Sequence, residues 1–212
     1  MAESCSVFPF LVQSEFDSAC KDLVDRCTSA QNITWSIRLL TKPDGTGLRI
    51  TKCVDVPSLE TPALEESLEE SLEDEDPVCR VLAPKGRSSH SRQPPGLQID
   101  YDILLSPTYQ VPVLYFGLRW DNGPLGLDQV YQYVVPERYR QELKSVGVMG
   151  GISMGYHPGS GAPAFFVHPC NTADAMANLA DAQSVTPGSY LLIWLGLVGH
   201  CVNLHVPREV FV

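Results

Sequence analysis

No Cys-x-x-Cys pair occurs anywhere in the sequence, and no Gly-Lys-Ser/Thr or GxGxxG run either. The first absence argues against a structural zinc site, which usually shows closely spaced ligand pairs. The second argues against phosphate-loop and dinucleotide-binding chemistry. The N-terminal stretch MAESCSVFPFLVQSEF lacks the basic start and long apolar run of a secretory leader. The longest apolar run, YLLIWLGLV at 190–198, falls short of the ~20 residues that span a bilayer. Basic clusters of the kind that track nucleic acid or membrane surfaces are missing too. The seven cysteines, at 5, 20, 27, 53, 79, 170 and 201, are odd in number and irregularly spaced. Together these features predict reduced thiols in a cytoplasmic protein with no transmembrane segment and no nucleic-acid partner.

The charge is uneven. Of 25 acidic residues, nine fall within 57–78, a stretch without Lys or Arg, so 16 acids face 15 bases elsewhere. Residues 57–96 combine LEESLEESLEDED with the basic, Pro/Ser-rich APKGRSSHSRQPPG. A segment with so few apolar residues does not offset its ordering entropy, and a flexible insertion is predicted there within a single domain, 1–212. It either meets a partner enzyme or stays solvated.

What remains has clear periodicities. Ser14-Glu15-Phe16-Asp17 resembles a capping box, and Phe16, Cys20, Leu23 and Cys27 recur at helical spacing to about residue 30. Ile33, Trp35, Ile37 and Leu39 alternate, and so do Leu48, Ile50, Val54 and Val56, with Pro43-Asp44-Gly45-Thr46-Gly47 as the turn between. Ile99, Tyr101, Ile103 and Leu105 alternate with Asp100 and Asp102. VPVLYFGLRW (111–120) is apolar on both faces, as a central strand is. Leu127, Val130, Tyr131 and Val134 suit a short helix. Residues 147–163, with six glycines and two prolines, read as a mobile loop. Thr172 is placed to cap a helix ADAMANLADA, and Thr186-Pro187 to open a final apolar helix over about 188–202. The order predicts an α+β fold: an antiparallel β-sheet meander with an N-terminal helix and C-terminal helices.

The chemistry centres on FFVHPCNT at 165–172. Cys170 admits three readings. It is a metal ligand with some of His157, His168, His200, Cys201 and His205, though Pro169 restrains any local clamp. It is a hydrolase nucleophile with His200 or His205 as base and Asn203 nearby. Or it is core filling, the reading favoured for Cys20, Cys27, Cys53 and Cys201. Cys170 differs from these four because it ends an apolar run and precedes a helix start, where the helix dipole favours a thiolate.

VHPCNT preceded by FF, together with IDYDILLSPTYQVPVLYF (99–116), DNGPLGLDQVY (121–131) and WLGLVGHCVNLHVP near the C-terminus, resembles the autophagy E2-like conjugating enzymes. The likeness is strong over 98–207 and weak over 10–55. It implies an E2-like core and a thioester at Cys170. An E1-like activating enzyme would load the ubiquitin-like modifier autophagy-related protein twelve. A lysine of the acceptor, autophagy-related protein five, would take it as an isopeptide. It also implies a monomer working without metal or cofactor. His168 and Pro169 map onto the family's HPC motif. The Asn that ubiquitin E2s carry in an HPN motif is replaced by Gly in His157-Pro158-Gly159. Asn171, Thr172 and backbone N–H groups are therefore the candidates to steady an oxyanion, with His168 orienting the loop. Tyr109, Tyr115 and Trp120 are candidates for binding the acceptor. Trp194-Leu195-Gly196-Leu197 resembles a modifier-binding motif, but its helical context points to the core. The alternatives to conjugation are a cysteine hydrolase and a non-catalytic E2-like adaptor.

Overall fold

The computed structural model describes residues 4–30, 33–42, 45–55, 96–120, 126–146, 151–181 and 184–211. The expected insertion at 57–96 lies outside them, except that Gly96 opens a strand; so do the turns at 43–44 and 121–125. No described helix is long and apolar enough to cross a membrane.

Helix α1 spans Gln13–Ser29. It starts two residues earlier than the Ser14 capping box predicts. Val12 is the cap residue, and the Glu15 carboxylate takes the N–H groups of Val12 at 3.1 Å and Ser6 at 2.6 Å. Burial alone would raise the Glu15 pKa, but those donors outweigh it and the net shift is downward. The inward stripe of α1 is the expected one: Phe16, Cys20, Leu23 and Cys27 are buried.

Strands β1 (Trp35–Lys42), β2 (Gly45–Asp55), β3 (Gly96–Leu105) and β4 (Pro112–Arg119) run antiparallel in sequence order. Their register puts Leu48, Ile50, Ile99, Tyr101, Ile103, Leu114 and Phe116 on one buried face. The final helix α5 (Pro187–Val198) joins α1 in the same core, opening on Thr186 and Pro187 as predicted, with Thr186 Oγ1 accepting the Ser189 N–H. It ends at Val198, and a 3₁₀ turn carries the chain from Gly199 to Val202. The Tyr101 hydroxyl donates to the Val202 carbonyl at 2.7 Å and ties that turn to the sheet. Trp194 and Leu195 are buried in this core, which withholds the WLGL run from any linear-motif partner.

Beyond β4 the meander is broken. Helices α2 (Leu127–Tyr133) and α3 (Glu137–Val146) intervene, then β5 (Ile152–Tyr156) forms the far edge. The chain returns as β6 (Pro163–Val167), inserted between β4 and β5, so the order is β1-β2-β3-β4-β6-β5. Residues 147–150 of the expected glycine-rich loop lie outside the described residues; of 151–163, Ile152–Tyr156 and Pro163 are strand rather than loop. Gly155 is the place where the Phe166 ring lies against the backbone, and a Cβ would crowd that ring. β6 meets β4 at only two register positions, Tyr115↔Phe166 and Phe116↔Phe165.

Candidate active site

Cys170 sits in a single 3₁₀ turn, Pro169–Asn171, between the end of β6 and helix α4 (Thr172–Leu179). The turn folds there because Pro169 fixes φ and removes a donor at its first position. His168 then caps it: its Nδ1 accepts the Cys170 N–H at 3.3 Å. This assigns the capping to His168. Neither Asn171, the residue before α4, nor Thr172, its first residue, caps with its side chain; Thr172 is buried and Asn171 exposed. Cys170 itself is half-buried, and among the described residues no side chain hydrogen-bonds to its Sγ.

The His168 ring is held edge-on by Tyr109, with centroids 5.8 Å apart, and lies beside Phe166 at 6.1 Å. Phe166 in turn contacts Tyr115 at 5.7 Å. Two of the three aromatic candidates thus gather round the HPC turn: Tyr109, 40% exposed, and Tyr115, half-buried. Trp120 does not. It lies past the opposite end of β4, five residues and ~17 Å along the strand from Tyr115, packed edge-on against Tyr133 at 5.2 Å.

Among the described residues, none of the other expected partners hydrogen-bonds to Cys170. His200 bonds the Gly196 carbonyl through Nδ1 and meets Tyr139 edge-on at 4.7 Å. Asn203 takes Lys52 Nζ on its carbonyl at 2.6 Å, and the His205 carbonyl takes the Trp35 indole N–H. No hydrolase dyad forms with them. Among the described residues no three His, Cys, Asp or Glu side chains group as metal ligands. The sequence offered His157 only as a metal-ligand candidate and as the start of His157-Pro158-Gly159; in space it joins the buried Asp102 and the partly exposed Arg49 in a polar cluster.

The thiols divide sharply. Burial pushes those of Cys5, Cys27 and Cys201 up to about 11, with the Glu15 charge adding to it at Cys5. Burial, with Asp17 adding to it, raises that of Cys20 further still. Cys170 is outside the core, and so is Cys53: core filling was expected for it, but it stands exposed near the end of β2. Iodoacetamide at neutral pH is therefore expected to modify Cys53 and Cys170 at least about tenfold faster than those four, because the thiolate is the nucleophile. Peptide mass spectrometry over a time course measures this. Equal labelling of Cys20 or Cys201 contradicts the burial described here.

An accessible cysteine on a capped turn, at the end of an antiparallel sheet backed by helices, defines a thiol-centred site on an α+β scaffold. The chain belongs to the family described as autophagocytosis associated protein, active-site domain, whose model matches residues 15–209. The likeness drawn from the HPC motif holds at that level. The chain is 40% identical over 141 residues to the ubiquitin-like-conjugating enzyme ATG10 of Gibberella zeae, covering 65% of this chain and 58% of that one. It is 33% identical over 147 residues to the ubiquitin-like-conjugating enzyme ATG10 of Homo sapiens, covering 68% and 61%. It thus spans about three-fifths of the length of these curated relatives. A crystal structure of the autophagic E2 Atg10 superposes with a TM-score of 0.49 at 10% identity, over 92% of this chain and 99% of that one, a likeness too distant to carry weight.

Proposed function

We propose that this chain is an E2-like conjugating enzyme of autophagy, carrying a ubiquitin-like modifier as a thioester on Cys170. The observation that carries the reading is the Cys170 turn: a half-buried thiol outside the core, its backbone fixed by His168, within a match to an active-site domain. The Cys170 thiolate attacks the carbonyl of the modifier's C-terminal glycine on an E1-like enzyme, and the E1 thiolate leaves. A neutral lysine amine of the acceptor then attacks the same carbonyl. Cys170 leaves as thiolate, and the amine proton passes to water. The modifier is autophagy-related protein twelve and the acceptor autophagy-related protein five.

Tyr109 and Tyr115 form the aromatic surface beside the thioester, suited to positioning the acceptor. Asn171, exposed next to the nucleophile, is the side chain free to stabilise the oxyanion, a role worth roughly 3 kcal/mol where donors are preorganised. His168 orients the turn rather than acting as base, since its Nδ1 lone pair is occupied by the Cys170 N–H.

The test is incubation with E1-like enzyme, ATP and modifier, followed by gels with and without reductant and peptide mapping of the adduct. A reductant-labile adduct on Cys170 is expected. An adduct on another cysteine overturns the reading. So does hydrolysis of a thioester substrate without transfer, the hydrolase outcome, or acceptor binding with no adduct, the adaptor outcome.

A further inference from the structure

The strand that carries Cys170 into place is weakly held by its backbone. β6 pairs with β4 at two positions only. Its other neighbour, β5, is the sheet edge, so the β5–β6 hairpin needs a second attachment to the rest of the sheet. His157 supplies one. It opens the turn between β5 and β6, which closes through His157 N–H to the Ala162 carbonyl and Gly161 N–H to the His157 carbonyl, each 2.8 Å. Gly161 takes φ +67°, a conformation that suits glycine. His157 Nδ1 accepts the N–H groups of Gly159 and Ser160, both at 3.1 Å. With that lone pair so used, the ring proton belongs on Nε2, which lies 3.1 Å from Asp102 Oδ2, within electrostatic reach of the carboxylate although off the line of a hydrogen bond. Asp102 stands on β3, two strands from β6, and is gripped by Arg49 of β2 through Nε at 2.6 Å and Nη2 at 2.5 Å. His157 and Asp102 are both more than nine-tenths buried.

From this joint a file of rings leads to the nucleophile. The His157 ring stands edge-on to Tyr115 at 5.3 Å, Tyr115 meets Phe166, Phe166 meets His168, and His168 Nδ1 holds the Cys170 N–H. We infer that His157 is a positioning residue for the Cys170 chemistry: through Asp102 it fastens the β5–β6 hairpin across the sheet, and so sets where the HPC turn presents its thiol. The inference rests on the conjugating reading above for its catalytic consequence, and on the geometry alone for its effect on the thiol.

Two conservative variants separate this from simple turn-folding. His157→Asn puts Oδ1 where Nδ1 was and keeps the turn's two acceptor bonds, but does not reach Asp102. His157→Gln places an amide donor near the Nε2 position and keeps the link to Asp102, at the turn's expense. With the thioester preformed, single-turnover discharge to the acceptor is expected to slow about tenfold in H157N, since small misplacements of reacting groups are costly. H157Q should stay within about threefold of the unaltered chain. The partner-free readout is the iodoacetamide rate at Cys170 relative to Cys53, expected to shift in H157N and not in H157Q. H157N behaving as the unaltered chain in both readouts overturns the inference, as does equal impairment of the two variants. If the unaltered chain forms no thioester yet H157N shifts the alkylation ratio, the conjugating reading fails and the positioning role stands. Asp102→Asn weakens the same joint from the β3 side, and its slowed discharge and altered alkylation ratio carry the test if H157N does not fold.

Discussion

Cys170→Ser is expected to carry the modifier as an oxyester that survives reductant, and to release it to the acceptor at least about a thousandfold more slowly, a barrier increase of roughly 4 kcal/mol. Serine preserves the shape of the turn and the His168 cap, since the bond is made by the backbone N–H of residue 170. What changes is the leaving group. A thiolate departs readily from a tetrahedral adduct, whereas an alkoxide is a far stronger base and holds the acyl group. Loading also slows, because a serine hydroxyl without an adjacent base is a weak nucleophile. No side chain bonds Cys170 Sγ among the described residues, so no local base rescues it. Cys170→Ala should show no adduct of either kind. Non-reducing gels with a mild-base arm make the measurement, and a rapidly discharged adduct in the serine variant would show that chemistry resides elsewhere.

Trp194→Ala is expected to cost about 3–5 kcal/mol of stability and lower the melting temperature by roughly 10 °C or more. Trp194 is 1% exposed and belongs to the core shared by α1, α5 and the inner face of the sheet. Truncation removes its buried surface and leaves a cavity that two helices and a sheet cannot close without losing other contacts. α1 and α5 approach closely as well: a Cβ at Gly188 would meet the Asp22 carboxylate, so the helices have little freedom to slide inward. Chemical denaturation followed by circular dichroism gives the number. A loss under 1 kcal/mol would place Trp194 at the surface, where the WLGL run would again be available to a partner.

Local signals in the sequence were strong where one face of an element is buried. The Phe16–Cys20–Leu23–Cys27 stripe, the alternation through Ile99 and Ile103, and the doubly apolar 111–120 run each point to the element that forms. VHPCNT stood out for the same local reason, a thiol where a strand gives way to a helix. Elements whose stability comes from distant partners were less legible. β5 alternates Ile152, Met154 and Tyr156 with Ser153 and Gly155, but it is only five residues long, lies in a glycine-rich stretch and leaves Met154 and Tyr156 largely exposed. α3, with ERYRQELKSV, sets Tyr139 and Leu143 one turn apart against the core, a two-residue stripe that its polar majority hides. Asp102 read as one of the outward polar residues of an alternating strand; it is buried because the turn after β5 folds across that outer face. The Asp102–His157 contact joins residues 55 apart in the chain, and no short window contains both. Thr172 looked like a cap by residue type, but the 3₁₀ turn runs straight into α4, so Thr172 is already helical and its N–H bonds the Pro169 carbonyl.

The capping bond at His168 has a further meaning for timing. With the nucleophile's own amide committed to His168, that N–H is not offered to a carbonyl oxygen bound at sulfur. On the conjugating reading, the acyl group on Cys170 then lacks that backbone donor, and stabilising the oxyanion falls to the exposed Asn171 side chain alone. Such a carrier can wait with its cargo intact, and the trigger for release arrives with the acceptor.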